Sequence, residues 1–509
     1  MDTGPSQAGG SPEGAPEHVD VLVVGAGLSG IGAGCHLQAS CPDKSYAILE
    51  ARGCIGGTWD LFRYPGIRSD SDMYTLGYAF RPWPDARSIA DGASILDYVR
   101  RTARDNGIDE KIRFHHRVTR AEWSSEHERW TVQAERGDTG ETVHVSCNFL
   151  LMCSGYYRYD EGYTPRFPHI ERFTGQVVHP QEWSEDVEYA GKRVVVIGSG
   201  ATAVTLVPAL ARRAAHVTML QRSPSYIVAL PAEDPLAKLL RRRLGARLAY
   251  PIVRWKNVLL TLLSFQLSRR RPRLVKALVR KGVERRLPQG FDIDTHFTPR
   301  YGPWDQRLCL APDGDLFEAI CAGRVSMATD RIEEFTERGL RLRSGHELEA
   351  DLVVTATGLN LLALGGVQVH VDGQRIELSR AMSYKGMMLG GVPNLAIVFG
   401  YTNASWTLKA DLTCAYVCRL LNYMDAHAYA RCVPVRDPSM PEEPFIDFSS
   451  GYVQRSIDKF PKQGAKAPWR LHQNYALDIM SLRLGALEDG TLDFSRAPLR
   501  GAEHQPVAA

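Results

Sequence analysis

Two short glycine runs carry the first readable chemistry in this chain. Val19-Asp-Val-Leu-Val-Val24 is an apolar strand that runs into Gly25-Ala-Gly27-Leu-Ser29-Gly30, and a helix is predicted from there to about Ala39. The next strand, Ser45-Tyr-Ala-Ile-Leu-Glu50, ends in an acid. Glycines let the backbone approach a pyrophosphate, the helix start supplies N–H groups to it, and a carboxylate about 20 residues on can hold ribose hydroxyls. The pattern repeats. Strand Arg193–Ile197 leads into Gly198-Ser-Gly200-Ala-Thr-Ala203, a helix is predicted to about Ala211, and strand His216–Leu220 ends in Gln221-Arg222. A carboxylate there would repel a 2′-phosphate, whereas an arginine can grip it with two hydrogen bonds. The first unit is therefore expected to bind FAD and the second NADPH in preference to NADH.

Three further segments bear on what the two nucleotides would do together. Gly56-Gly57-Thr58-Trp59-Asp60-Leu61-Phe-Arg-Tyr64-Pro-Gly66-Ile-Arg68-Ser69-Asp70 follows Glu50 closely and should run along the flavin. Its Tyr64-Pro-Gly66 turn should deliver Arg68 and Asp70 into the cleft between the nucleotides. Phe173-Thr-Gly-Gln-Val-Val-His179-Pro-Gln-Glu-Trp183 lies between the two glycine units, and Asp305-Gln306-Arg307-Leu308 lies downstream of both. Cys35, Cys41 and Cys54 stand near the first unit without the close spacing of a disulfide-reductase pair. Arg307 could equally be a salt bridge between domains, and Arg68 with Asp70 a surface ion pair.

These segments resemble the fingerprints of type I Baeyer–Villiger flavin monooxygenases. The longer fingerprint corresponds to Gly57-x-Trp59 through Tyr64-Pro-Gly66-x-x-x-Asp70, and the shorter one to Phe173–Trp183. Arg63–Gly77, Pro303–Cys309 and Gly400–Asp411 are similar to a mycobacterial branch of that family, and the similarity covers nearly all of the chain after its N-terminal tail. The resemblance implies an NADPH- and O2-dependent flavoprotein monooxygenase. Such an enzyme converts ketones to esters or lactones through a C4a-peroxyflavin and also oxidises sulfides or thioamides at sulfur. It implies Arg307 as the cation that stabilises the developing oxyanion, with Asp70 orienting it. Motif position and resemblance together put Gly25, Gly27, Ser29, Gly30, Glu50, Gly57, Thr58, Trp59, Asp60, Leu61, Arg68, Ser69, Asp70 and Val118 at the FAD site. They put Gly198, Ser199, Gly200, Ala201, Thr202, Ala203, Val204, Gln221 and Arg222 at the NADPH site. Two positions depart from the family pattern: Ser184 follows the shorter motif, and Gln306 replaces a lysine that commonly precedes the arginine, which leaves Arg222 as the main 2′-phosphate ligand. His179 is implied to couple the motions of the domains and not to act as an acid or base. The competing readings are a monooxygenase restricted to N or S atoms and a membrane-recruited NADPH-binding regulator.

The elements that position these residues suggest an α/β protein with two Rossmann-like dinucleotide-binding domains and a helical insert. At 509 residues the chain is too long for one core. Strands Asn148–Gly155 and Asp351–Gly358 end in small residues where the chain should cross between domains. The expected order is a disordered tail (1–17), the first part of an FAD domain (18–155), the first part of an NADPH domain (156–228), a basic helical insert (229–299), the rest of the NADPH domain (300–358), and the rest of the FAD domain with a C-terminal segment (359–509). Ten cysteines without a framework spacing suggest a reduced, cytoplasmic protein. His115-His116 should lie within one strand on opposite faces, which makes a poor metal chelate. The net charge of +3 hides an asymmetry: Lys238–Arg286 holds sixteen Lys or Arg against the single acid Glu284, a local balance of +15. That stretch has a single interleaved tryptophan, Trp255, and no nucleic-acid motif, so no nucleic-acid partner is expected. A helical insert touching an anionic membrane surface at the inner face of the cell membrane is one reading, and a solvated helical subdomain is the other. The expected small-molecule partners are a ketone or sulfide and O2.

Overall fold

The computed structural model describes residues 16–446 and 448–496. Most of the expected N-terminal tail lies outside these residues. Two sheets carry the two glycine units. The first has nine strands, and its parallel core joins Glu17–Val24 to Tyr46–Leu49 on one side and to Thr142–Met152 on the other. Val24 is in register with both Leu49 and Met152, so Gly25, Glu50 and Cys153 emerge at one level of the sheet. The C-terminal halves of these strands, residues 21–24, 47–49 and 149–152, are apolar and buried, with helices against one face and residues of a meander in the same sheet packed against the other. The meander is His116–Ser124, Arg129–Arg136 and Thr142–Met152, antiparallel throughout. Leu395–Ile397, far along the chain, returns to pair with Thr142–Met152. The expected single strand across His115-His116 is interrupted: His115 takes a positive φ of 60° between Ile112–Arg113 and His116–Ser124.

The second sheet is all parallel and has five strands, in the order Val325–Thr329, His216–Gln221, Arg193–Ile197, Leu352–Thr355, Gln176–Val178. The chain enters this unit through Tyr157–Gly162 and leaves it through Leu359–Leu361. These two crossings pair with each other as an antiparallel ribbon.

The basic insert does not form a separate lobe. Helix Pro235–Arg270 breaks at Gly245, whose φ of 76° is non-helical, and packs on the first domain. Tyr250, Val253 and Val258 enter that domain's core. Arg254, counted with the basic stretch, is buried there and donates to the carbonyls of Gly77 at 2.7 Å and Tyr74 at 2.8 Å. The next helix, Pro272–Glu284, leans on the second domain through Val283. One insert thus braces both units.

Candidate active site

A cavity of about 550 Å³ runs from the first glycine turn to the foot of the second domain. Its walls come from both ends of the chain because each sheet presents its strand ends toward it, as open α/β sheets do at ligand sites. At one end helix Leu28–Ser40 begins after Gly27 with no side-chain cap, so its first N–H groups are free for an anion. Glu50 is buried beside it and accepts from the backbone N–H of Ala26 at 2.7 Å and of Arg52 at 2.9 Å. Burial pushes its carboxyl above the usual range. The second unit repeats the arrangement. Helix Ala201–Leu210 starts after Gly200 without a side-chain cap, and space in front of Gly200 is open. These two uncapped helix starts, one with an acid and one without, fit two dinucleotides.

The middle of the cavity holds Arg307 and Asp70. Arg307 Nε donates to Asp70 Oδ2 at 2.6 Å, and its Nη1 donates to the Thr402 carbonyl at 3.1 Å. Burial works to lower the guanidinium pKa, but the Asp70 carboxylate, together with Tyr452, Tyr156 and Tyr157 around the group, outweighs it, and the group stays above its ordinary value. A charged guanidinium in two fixed contacts keeps the rest of its donor fork for a ligand. The loop that carries Arg307 is itself held. Asp305 accepts from the N–H of Gly302 at 2.8 Å and pairs with Arg269 at 3.0 Å, while Trp304 meets Phe265 edge-on at 5.7 Å. Arg269 and Phe265 both belong to the insert helix, so the insert positions the loop.

Aromatic rings enclose this centre. Tyr156 stacks on Trp406 at 5.4 Å, and Trp406 donates its indole N–H to Ser29 Oγ at 2.7 Å. Burial raises the phenol pKa of Tyr156 and Tyr157, so both stay neutral. Tyr401 lines the same cavity and donates to Asp478, which also pairs with the buried Lys409 at 2.9 Å. The sequence reading missed Tyr156, Tyr157, Tyr401 and Trp406. The pair Tyr156-Tyr157 follows directly on Ser154-Gly155, a strand end already marked as a crossing, and two adjacent aromatics there were the available signal.

Other expected residues fall in several places. Gly25, Gly27, Ser29, Glu50, Gly57, Thr58, Trp59, Arg68, Asp70, Val118, Ala201 and Thr202 line the cavity. Gly30 packs behind the first turn. Asp60 and Leu61 are not among the lining residues: Asp60 is buried in a cluster with Arg52 at 2.6 Å and Arg100 at 2.8 Å, and that cluster anchors the loop from behind. Ser69 is buried with its backbone N–H on Ala90, and Arg68 pairs with Asp315 of the second domain. Gly198, Ser199, Gly200, Gln221 and Arg222 also lie outside the cavity lining, and Ala203 and Val204 are core residues. Gln221, at the position of the ribose acid, turns away and donates to the His296 carbonyl at 2.8 Å and to Thr329 at 2.9 Å. Arg222 beside it is exposed.

Two motif segments prove to be joints. The Tyr64-Pro-Gly66 turn docks on helix Ala201–Leu210. A side chain at Gly66 would bring a Cβ within 2.7 Å of Ala209 Cβ and 3.0 Å of the Thr205 carbonyl. In the shorter motif, Phe173 packs against Phe335 and Trp183 against Tyr189. His179 is buried. Its Nε2 donates to the Gly358 carbonyl at 3.0 Å and its Nδ1 accepts from the Gln181 N–H at 3.1 Å, which assigns one neutral tautomer. Burial lowers its pKa, consistent with a neutral ring that ties the two crossings together.

A family model described as flavin-binding monooxygenase-like matches residues 77–378, and one described as an NAD(P)-binding Rossmann-like domain matches residues 23–91. The FAD-containing monooxygenase EthA of Mycobacterium tuberculosis is 56% identical over 484 residues, which cover 95% of this chain and 99% of that protein. Among solved structures, an oxidized steroid monooxygenase bound to NADP gives a TM-score of 0.71 at 21% identity, covering 94% of this chain and 100% of the other. OTEMO in complex with FAD and NADP gives 0.69 at 22% identity, covering 83% and 87%. At such identities the structures speak for the fold: two dinucleotide domains facing one cleft.

Proposed function

The chain belongs to the flavin-binding monooxygenase-like family, and on that premise we propose that it is an FAD-containing, NADPH- and O2-dependent Baeyer–Villiger monooxygenase that turns ketones into esters or lactones and also oxidises sulfides and thioamides at sulfur. The observation that carries this reading is the Arg307–Asp70 pair at 2.6 Å inside an aromatic-walled cavity. Attack on a ketone builds negative charge on the carbonyl oxygen. A fixed cation in a cleft shielded from water stabilises that charge far more than it does the neutral ketone. When bound, FAD supplies the oxygen-activating ring and NADPH the hydride that reduces it. The protein's own contribution is positional. Arg307 offers its remaining N–H donors to the oxygen that gains charge. Asp70 and the Thr402 carbonyl fix the plane of the guanidinium. Tyr156, Tyr401 and Trp406 exclude water from the reacting centre. Sulfur oxidation makes no tetrahedral adduct, so the same cavity serves it without calling on the arginine to the same degree.

Product analysis tests the reading. Purified enzyme turning over NADPH with medium-chain and phenyl ketones should give esters, and with aryl sulfides it should give sulfoxides. Sulfoxide with no ester from any ketone would replace the proposal with a heteroatom-only monooxygenase.

The exposed Arg222 and the diverted Gln221 support preference for the phosphorylated cofactor. Charge-assisted hydrogen bonds to a phosphate are worth roughly 1.5–3 kcal/mol. Arg222→Gln should therefore raise KM for NADPH about 10- to 100-fold and leave KM for NADH nearly unchanged. Steady-state kinetics with both cofactors would read this directly, and an equal rise for both would remove Arg222 as the phosphate ligand.

A further inference from the structure

Helix Pro235–Arg270 presents a face that the described residues leave uncovered. Leu248, Ile252, Trp255, Leu259, Leu263 and Leu267 recur at steps of three and four residues, which sets them along one side of a helix. All six are exposed, Leu248 and Leu263 at 64% and Trp255 at 47%. The other side of this helix is fixed: Val253 and Val258 are in the core, Arg254 holds two backbone carbonyls, and Asn257 donates to Asp72 at 2.8 Å. The leucine face is therefore held outward by packing and is not the exposed side of a loose helix. The apolar surface extends beyond the helix. The Trp255 ring lies 5.8 Å from Tyr475, and the turn that follows Tyr475 exposes Leu477, Met480 and Leu484, the last at 76%. Patches this apolar are uncommon on soluble monomers and mark interaction sites.

Cations flank the stripe. Arg242, Arg243 and Arg247 precede it, Arg270, Arg271 and Arg273 follow it, and Arg483 stands in the neighbouring turn, all exposed. Among the described residues these arginines have no carboxylate within ion-pair distance, whereas Lys238, Lys256, Arg269 and Arg280 are paired within the protein. Among the described residues no helix is long and apolar enough to cross a membrane. A helix with an apolar stripe and cationic ends fits the plane of a lipid surface.

We propose that this face docks the enzyme on an anionic lipid bilayer, with the leucines and Trp255 at the acyl boundary and the arginines among the headgroup phosphates. Charge complementarity selects this occupant. A second copy of the chain would bring two stretches of balance +15 together, and a nucleic acid would engage the arginines but leave the leucine stripe in water. The docked face adjoins the cavity: Tyr475 lies 6.5 Å from Tyr401, which is part of the cavity wall.

Co-sedimentation of the full-length holoenzyme with vesicles tests the proposal without reference to catalysis. The protein should pellet with vesicles of equal phosphatidylcholine and phosphatidylglycerol, remain in solution with phosphatidylcholine alone, and be released as salt is raised. Replacing Leu259 and Leu263 together by Glu, at positions already in water, should cut the bound fraction about tenfold or more while flavin content stays normal. Arg242→Glu with Arg243→Glu provides a second, independent arm with the same expected loss. Absence of binding to anionic vesicles would overturn the proposal, as would normal binding by both double variants. A dimer dissolved by the leucine substitutions, with no vesicle binding, would assign the face to a second copy instead.

Discussion

Replacing Arg307 with alanine should reduce ester formation by a factor of about 10² to 10³ or more, the range found when a single oxyanion donor is removed, while NADPH still reduces the flavin at close to the normal rate. The geometry separates the two half-reactions. Arg307 touches Asp70 and the Thr402 carbonyl and lines the middle of the cavity, whereas Gly200 and Arg222, which would hold the NADPH phosphates, stand outside its lining. Stopped-flow absorbance of the flavin under anaerobic conditions reads the first half-reaction, and gas chromatography of the ester reads the second. Arg307→Lys should rescue little, since a point charge cannot keep the contacts to Asp70 and Thr402 and also reach a ligand. Asp70→Asn should fall between the variant and the parent, because the neutral amide can still orient the guanidinium but no longer helps to hold it charged. An Arg307→Ala variant that makes ester at the parent rate would remove this residue from the chemistry.

The second large effect is expected at Gly30. A Cβ there would lie 1.8 Å from the Gly25 carbonyl oxygen, a backbone atom that cannot swing aside. Gly30→Ala must therefore push helix Leu28–Ser40 away from strand Glu17–Val24, and the helix start moves off the position where it meets the pyrophosphate. The purified variant should be colourless, with its flavin-to-protein absorbance ratio near zero, and should melt well below the parent. Gly27→Ala is the informative contrast. Its Cβ would meet Gly57 Cα at 3.6 Å, an ordinary contact, so the apoprotein should be nearly as stable as the parent apoprotein and only flavin affinity should fall. Equal flavin content in Gly30→Ala and the parent would contradict this account of the turn.

The two dinucleotide units were legible because each is local. A strand, a glycine turn, a helix and the residue closing the next strand lie within one stretch of sequence, and periodicity marks their limits to within one or two residues. The Arg307–Asp70 pair was reachable only through family resemblance, since nothing in the local pattern says that a loop near residue 305 returns to a turn near residue 70. Asp60 shows the opposite failure. It stands within a cofactor fingerprint, yet three arginines from different places in the chain, Arg52, Arg63 and Arg100, draw it away from the cavity. Arg254 was hidden for a related reason. In a stretch so rich in cations one buried member looks like its exposed neighbours, and only the packing of the helix on Tyr74 and Gly77 distinguishes it. The interruption at His115 could not be read at all, because one residue at positive φ leaves the apolar alternation on both sides intact.

The paired crossings Tyr157–Gly162 and Leu359–Leu361 bear on how such enzymes can be recombined. Because entry and exit lie side by side, residues 163–358 form a cassette whose two cut points are neighbours in space. A donor cassette with another cofactor preference could be grafted there with little disturbance to the ribbon. It would, however, have to present the small surface of Thr205 and Ala209 to the recipient's Gly66, an acid in place of Asp315 to Arg68 and an arginine in place of Arg307 to Asp70, and its insert helix would have to enter the recipient's core as Tyr250, Val253 and Val258 do. Compatibility between halves thus rests on these turn contacts and on how the insert helix packs into the recipient's core, and a chimera's success should follow them more closely than overall sequence identity.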